Sequence, residues 1–243
     1  MGLYRDTAVV LRTYKLGEAD RIVVLMTAAH GKVRAVAKGV RKTKSRFGGR
    51  LEPTSHVSLL LYEGRELDIV SQVDTIDAFG IFREDLDRLG HAMAMLEAID
   101  QLAQERAPSA RLYQMLLGAL RSLAANPAPL LVPAFFWKLL AAEGLRPEID
   151  ACVSCGGPGP LVAFDVDEGG ALCRTCRRGT PLSEGALTLL RRILGGDLVT
   201  ALTEAPSPAT HEVEVLATRA MEHHLERRLK ATHVLDPGEH VWG

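Results

Sequence analysis

Apolar and polar positions change period part-way along this chain. Up to about residue 78, short β-branched runs alternate with polar turns. Thr7–Tyr14 (TAVVLRTY) and Arg21–Thr27 (RIVVLMT) are two such runs, separated by Lys15–Asp20 (KLGEAD). Their composition favours strands, and the glycine between them favours a turn. His30-Gly31 makes the next turn, after which Lys32–Lys38 (KVRAVAK) largely alternates base with apolar residue. Successive side chains of a strand point to opposite faces. Lys32 and Arg34 therefore share one face, joined by Lys38 if the strand runs that far, and Val33, Ala35 and Ala37 share the other. Gly39–Arg50 reads as a loop. Pro53–Tyr62 and Leu67–Ile76 read as strands joined by a Glu63-Gly64-Arg65 hairpin turn. Five strands at this spacing predict a small closed barrel of the OB type. Such barrels commonly bind single strands across the sheet face and loops, with aromatic side chains as stacking platforms.

From Asp77 the period lengthens. Leu86, Leu89, Met93, Leu96 and Ile99 recur at three and four, the mark of an amphipathic helix. Pro108-Ser109 ends it, with Ser109 placed to cap a second helix over Leu112–Ala124. After Asn126–Pro129, the run Leu130–Leu145 is apolar nearly all round. It predicts a buried helix with Phe135, Phe136 and Trp137 in the core. Further on, Ser183 caps a helix over Glu184–Leu194, and Pro206–Pro208 reads as a loop. Glu212–Lys230 reads as a long amphipathic helix with Val213, Leu216, Ala220, His224 or Leu225, and Leu229 inward. Residues from His233 read as a loose tail. The fold class is α+β. A barrel domain spans 1–78, and a helical domain spans 79–243 with an inserted cysteine element at 150–180.

Charge sharpens this picture at one place. Gly31–Leu51 carries Lys32, Arg34, Lys38, Arg41, Lys42, Lys44, Arg46 and Arg50 and no acid. The chain has 29 Lys+Arg against 30 Asp+Glu, so without these eight bases the remainder is acidic by nine charges. A cationic island on an acidic protein attracts polyanions locally, and nucleic acid is the polyanion that fits. Phe47 lies among these bases with no evident core neighbours. It joins the candidate set as a stacking residue, although the adjacent Gly48-Gly49 also allows the loop to fold back. Tyr14 and Tyr62 end strands nearby, where an aromatic more often closes a core. No apolar run reaches the length of a membrane helix, and the charged N-terminus is no signal peptide.

All four cysteines fall in one window, as Cys152-x2-Cys155 and Cys173-x2-Cys176 separated by seventeen residues. Two tight turns each presenting two thiolates complete a tetrahedral shell, the arrangement of a structural Zn²⁺. With the shell filled by sulfur, an open catalytic position is not expected. Leu161–Asp167 and Ala171-Leu172 read as a hairpin between the pairs. Asp165, Asp167 and Glu168 at its tip read as a solvated turn. Arg174, Arg177 and Arg178 either extend a phosphate track or balance the charge of the thiolate centre. The reducing environment implied by clustered free thiols points to the cytoplasm. There is no Gly-rich phosphate loop, GxGxxG, HExxH or GxSxG, so no enzymatic constellation is expected.

These features together resemble the bacterial RecO family of recombination and repair proteins. The likeness runs through TAVVLRTYKLGEADRIVVLMTAAHGKVRAVAKGVRKTKSRFGGRLEPTSHVSL, the hairpin LYEGRELDIVSQVD, the junction WKLLAAEGLRPEIDAC and both cysteine pairs. The resemblance implies an N-terminal OB domain, a helical domain and a zinc element. It also implies a non-enzymatic mediator of the RecF pathway that binds single- and double-stranded DNA and anneals complementary strands. With RecR, such a protein helps RecA displace single-stranded DNA-binding protein, so the RecA filament is reached indirectly. By position, the DNA-contacting candidates are the bases of Gly31–Leu51. A zinc-containing nucleic-acid-binding regulator without annealing activity is the competing reading. A nuclease built on Asp165, Asp167 and Glu168 is a third. No membrane or small-molecule substrate is implied.

Overall fold

A computed structural model describes residues 2–43, 45 and 47–230. Five strands close into a barrel in the order β1-β2-β3-β5-β4. They are β1 (Leu3–Leu16), β2 (Asp20–Thr27), β3 (Gly31–Ala37), β4 (His56–Tyr62) and β5 (Asp68–Asp77). Every pairing is antiparallel except the β3–β5 seam, which is parallel. All five expected strands form. β1 exceeds the TAVVLRTY run because Leu3–Asp6 pair with Leu59–Tyr62 and Lys15-Leu16 pair with Asp20-Arg21.

The alternation in β3 is realised, with Val33, Ala35 and Ala37 buried. Ala8, Ala35 and Ala37 are small for inward positions of a barrel. The remaining volume is taken up from the loop: Phe47 and Leu51 fold back among Val10, Val23, Leu25 and Leu59. Phe47 is only 1% exposed. The stacking role assigned to it is therefore corrected. Its ring belongs to the barrel core, where polar neighbours in sequence gave no hint of a partner.

Three helices belong to the same compact unit: α1 (Ile81–Glu84), α2 (Leu86–Leu102) and α3 (Ala110–Ala125). Asp85 caps α2 by accepting from the Arg88 amide at 3.0 Å. Leu86, expected inward, is 73% exposed in the first turn. The buried part of α2 begins at Ala92 and runs almost all round by Ala98, Ile99 and Asp100, because α2 meets β1 and β2 as well as α3. Ser109 caps α3 as expected, accepting from Leu112 at 3.4 Å. Tyr113 of α3 lies against the barrel, with its hydroxyl 2.8 Å from His56 Nε2 and donating to Thr7 Oγ1 at 3.1 Å. After α2 the chain runs beside the start of β3, where the Arg106 amide donates to the Lys32 carbonyl at 2.9 Å. Gly31 makes this approach possible. Its φ is +70°, and a Cβ there would stand 2.0 Å from the Ala107 carbonyl oxygen.

The second compact unit begins at Asn126. By contacts, α1–α3 group with the barrel in the first unit. The second unit contains α4 (Leu131–Ala142), a small sheet of β6 (Leu161–Asp165), β7 (Gly170–Cys173) and β8 (Thr180–Pro181), then α5 (Glu184–Gly195), α6 (Leu198–Ala201) and α7 (Pro208–His224). Phe135, Phe136 and Trp137 are core residues as expected, and Trp137 meets Phe164 edge-on with ring centroids 5.6 Å apart. Ser183 caps α5. The last helix differs from expectation at both ends. Ser207 and Thr210 form a reciprocal capping box that starts α7 at Pro208 rather than Glu212. The helix stops at His224, Glu226 adopts a left-handed φ of 51°, and Leu229 is buried after the turn. The tail from His233 lies outside the described residues.

Phe47→Ala should cost the barrel about 3–5 kcal/mol by leaving a cavity, measured by chemical denaturation. Phe47→Leu should retain most of that stability and the full affinity for DNA. A stacking residue would instead lose affinity in both variants.

Candidate nucleic-acid interface and metal centre

The structure sorts the eight bases of Gly31–Leu51 into different environments. Lys32 is largely internal, its side chain 13% exposed, with Nζ 3.6 Å from the Asp100 carboxylate and donating to the Asp100 carbonyl at 2.5 Å. Its expected place among the DNA contacts is corrected, since its charge is taken up by a buried acid. Arg34 is exposed and stands 3.6 Å from Glu105. Lys38, Arg41, Lys42 and Arg50 are exposed. Lys44 and Arg46 lie outside the described residues.

The exposed part of this loop is fastened to the turn between β1 and β2. The Gly39 amide donates to Asp20 Oδ1 at 2.7 Å, and the Arg41 amide donates to the Ala19 carbonyl at 2.9 Å. The Arg41 guanidinium also donates to the Gly17 carbonyl at 3.2 Å. Lys38, Arg41 and Lys42 are thereby held beside the ends of β1 and β2.

Strand register places three cross-strand rows on the outward face of β1-β2-β3. Val9, Met26 and Lys32 form the first, Arg12, Val24 and Arg34 the second, and Tyr14, Ile22 and Val36 the third. The bulge at Leu11 brings Arg12 onto this face. The first row is the most buried, and the second and third are partly exposed. A groove of about 380 Å³ runs over the second and third rows, with Asp100 and Glu105 forming one wall. Arg12 was not singled out from the sequence. Its Nε lies 2.6 Å from Asp100, whose side chain is 3% exposed, and its guanidinium lies 4.8 Å from the Tyr14 ring centroid.

In the second unit, the Sγ atoms of Cys152, Cys155, Cys173 and Cys176 all lie within 4.8 Å of one another. Cys155 and Cys173 are 3.8 Å apart. Sulfurs at the usual Zn–S distance of about 2.3 Å in a tetrahedron stand about 3.8 Å from one another, so the spacing suits a metal ion of that kind. Backbone geometry prepares the ligands. The amide of Cys173, with those of Cys155 and Ser154, draws the Cys152 thiol down to about 6. The Cys176 amide, with that of Thr175, lowers Cys173. Cys176 itself is pushed up to about 12, chiefly by hydrogen bonding with Cys155 and then Cys173. A divalent cation among the sulfurs would let all four ionise. The turn after the second pair needs Gly179, whose φ is +74° and whose added Cβ would lie 2.4 Å from the Phe164 carbonyl.

The family models for the N-terminal and C-terminal parts of recombination protein O match residues 1–79 and 83–233. The chain belongs to the RecO family. That membership places it among DNA repair and recombination mediators and agrees with the barrel, the helical region and the four-cysteine cluster. Among the described residues, no helix is long and apolar enough to cross a membrane.

Around the RecO cysteine element, Asp167 and Glu168 are exposed as expected of a solvated turn, but Asp165 is not. Asp165 is 8% exposed, accepts from the amides of Asp167 and Glu168, and pairs with Arg178 at 2.9 Å. Arg178 also pairs with Glu168. Asp165 and Arg178 therefore hold the hairpin tip to the segment after the second cysteine pair, which favours a structural role over a nuclease site. Arg174 and Arg177 remain exposed.

Cys173→Ser should lower both metal content and thermal stability, measured by elemental analysis and melting. Acidification should act in the same direction. Protons compete with a cation for the thiolates, so metal should be retained at neutral pH and released as pH falls.

Proposed function

We propose that this chain is a non-enzymatic mediator that binds single- and double-stranded DNA and anneals complementary strands. The observation that carries this reading is the exposed cationic loop, fastened beside the outward sheet face of an OB-like barrel in an otherwise acidic chain. Arg34, Lys38, Arg41, Lys42 and Arg50 are the described candidates for phosphate contact, and Lys44 and Arg46 complete the set by sequence. Annealing is opposed by repulsion between two polyanions. A surface that neutralises phosphates on both strands, releasing their counterions, lowers that opposition without selecting a sequence.

On this reading RecR and single-stranded DNA-binding protein are the protein partners, and RecA is reached through them. Cys152, Cys155, Cys173 and Cys176 would hold one structural Zn²⁺, which when bound cross-links the two knuckles and stabilises the hairpin. The action is cytoplasmic, at the nucleoid.

The test is annealing of two complementary labelled oligonucleotides, one coated with its cognate single-stranded DNA-binding protein. The parent should accelerate annealing. A triple variant, Lys38→Ala with Arg41→Ala and Lys42→Ala, should lose that acceleration. Its log affinity should also depend less steeply on log salt, by about 0.7–0.9 for each phosphate contact removed. DNA binding without annealing by the parent would favour a zinc-containing nucleic-acid-binding regulator instead.

A further inference from the structure

The four cysteines are alike in spacing and unlike in exposure. Cys152 is 1% exposed, and its backbone is tied into the first knuckle: its amide donates to the Gly157 carbonyl at 2.8 Å and its carbonyl accepts from Gly156 at 2.7 Å. Cys173 and Cys176 are half-buried, and Cys155 is exposed. The residues that follow Cys155 leave its sulfur uncovered. Gly156 takes a left-handed φ of 71°, and Gly157 lacks the Cβ that would stand 3.4 Å from the Cys155 sulfur. Across the cluster, Cys155 Sγ lies 3.8 Å from Cys173 Sγ. Cys173 ends β7 and pairs with Leu161 of β6, so this contact joins the first knuckle to the sheet.

We propose that Cys155 is an oxidation site, at which a peroxide converts the metal-bound cluster into a Cys155–Cys173 disulfide and expels the ion. The proposal rests on the zinc reading above and adds a chemical response to it. A solvent-accessible thiolate beside a second thiol that can resolve it is the arrangement of a redox sensor. The charge around the second pair favours reaction as well. Arg174 and Arg177 flank Cys176, are exposed, and make no ion pair among the described residues. Partly exposed, electropositive surroundings are where cysteines react, whereas a buried one such as Cys152 is inert.

The electrons balance with hydrogen peroxide as the oxidant. The Cys155 thiolate attacks one peroxide oxygen; an S–O bond forms, the O–O bond breaks, and hydroxide leaves. The Cys173 thiolate then attacks the Cys155 sulfur of the resulting sulfenic acid. An S–S bond forms, the S–O bond breaks, and a second hydroxide leaves. Together the two thiolates lose two electrons and the peroxide gains them. Two of the four ligands are then consumed, and Cys152 with Cys176 no longer completes a tetrahedral shell. The new bond keeps the first knuckle linked to β7, so the element gives up its ion without coming apart. A thiol reductant reverses the change by exchange. Transient disulfides of this kind are the ones a reducing compartment permits.

The test uses the full-length chain, purified under reducing conditions and with its metal content measured first. Hydrogen peroxide is added, zinc release is followed with a colorimetric chelator, and cysteine pairing is mapped by mass spectrometry of unreduced peptides. One ion should be lost per chain, in step with the appearance of a Cys155–Cys173 linked peptide. The melting temperature should fall with the loss, and dithiothreitol with added zinc should restore all three. Cys155→His offers a Cys₃His shell and no sulfur at the exposed corner, so it should keep its ion at peroxide concentrations that empty the parent. If that variant holds no metal, the peptide map of the parent decides. A metal-loaded parent that keeps its ion, that loses it with a different cysteine pair or a sulfinic acid in place of the expected bond, or that is not restored by reduction would overturn the switch and leave the structural zinc reading intact. A parent without metal would overturn that reading, and the switch with it.

Discussion

A buried carboxylate governs how the first unit is arranged. Asp100 sits in the well-packed C-terminal half of α2, and an unpaired charge there would cost several kcal/mol. It is paired with two bases from two strands, Arg12 of β1 at 2.6 Å and Lys32 of β3 at 3.6 Å. This single requirement sets several features together. It registers α2 against the barrel, it withdraws Lys32 from solvent, and it holds Arg12 over the face that carries Tyr14. The chain that follows α2 is drawn along the start of β3, where only a glycine at 31 allows the backbones to meet. The outward face is therefore divided. One end is closed by helix packing, and the other is left open between the acids of one wall and the cations of the loop.

The second unit is organised by a different constraint. Its sheet is a hairpin with a two-residue third strand, which on its own is marginal in water. Trp137 against Phe164 ties it to α4, the Asp165–Arg178 pair closes its tip, and the clustered cysteines join its two ends. Amides aimed at Cys152 and Cys173 favour thiolates, while Cys176 favours its proton. The protein thus supplies a shape and a partial charge pattern that a cation would complete.

Much of this was legible in the sequence, and the exceptions have physical reasons. β-branched runs set off by polar turns identified the strands, and period-two alternation assigned the two faces of β3. Cysteine spacing identified the cluster, because the knuckle geometry is local. Phe47 was missed because the volume it fills is created by alanines on distant strands. The Arg12–Asp100 pair was missed because it joins residues far apart in sequence. Its only local sign was an acid following Ala98-Ile99 in an otherwise apolar run. The start of α7 was legible but misread: Ser207 before Pro208 is a helix start, and proline was taken as a breaker although it is well tolerated in the first turn.

The fastening of the loop gives an acid an unexpected part. Asp20 carries a negative charge, and by net charge alone its removal should favour a polyanion. Its carboxylate, however, receives the Gly39 amide and so helps set where Lys38, Arg41 and Lys42 stand. Neutralising it would gain a little attraction at long range and lose the geometry at contact. In this part of the molecule the position of positive charge matters more than its amount, and an anion is one of the residues that fixes it.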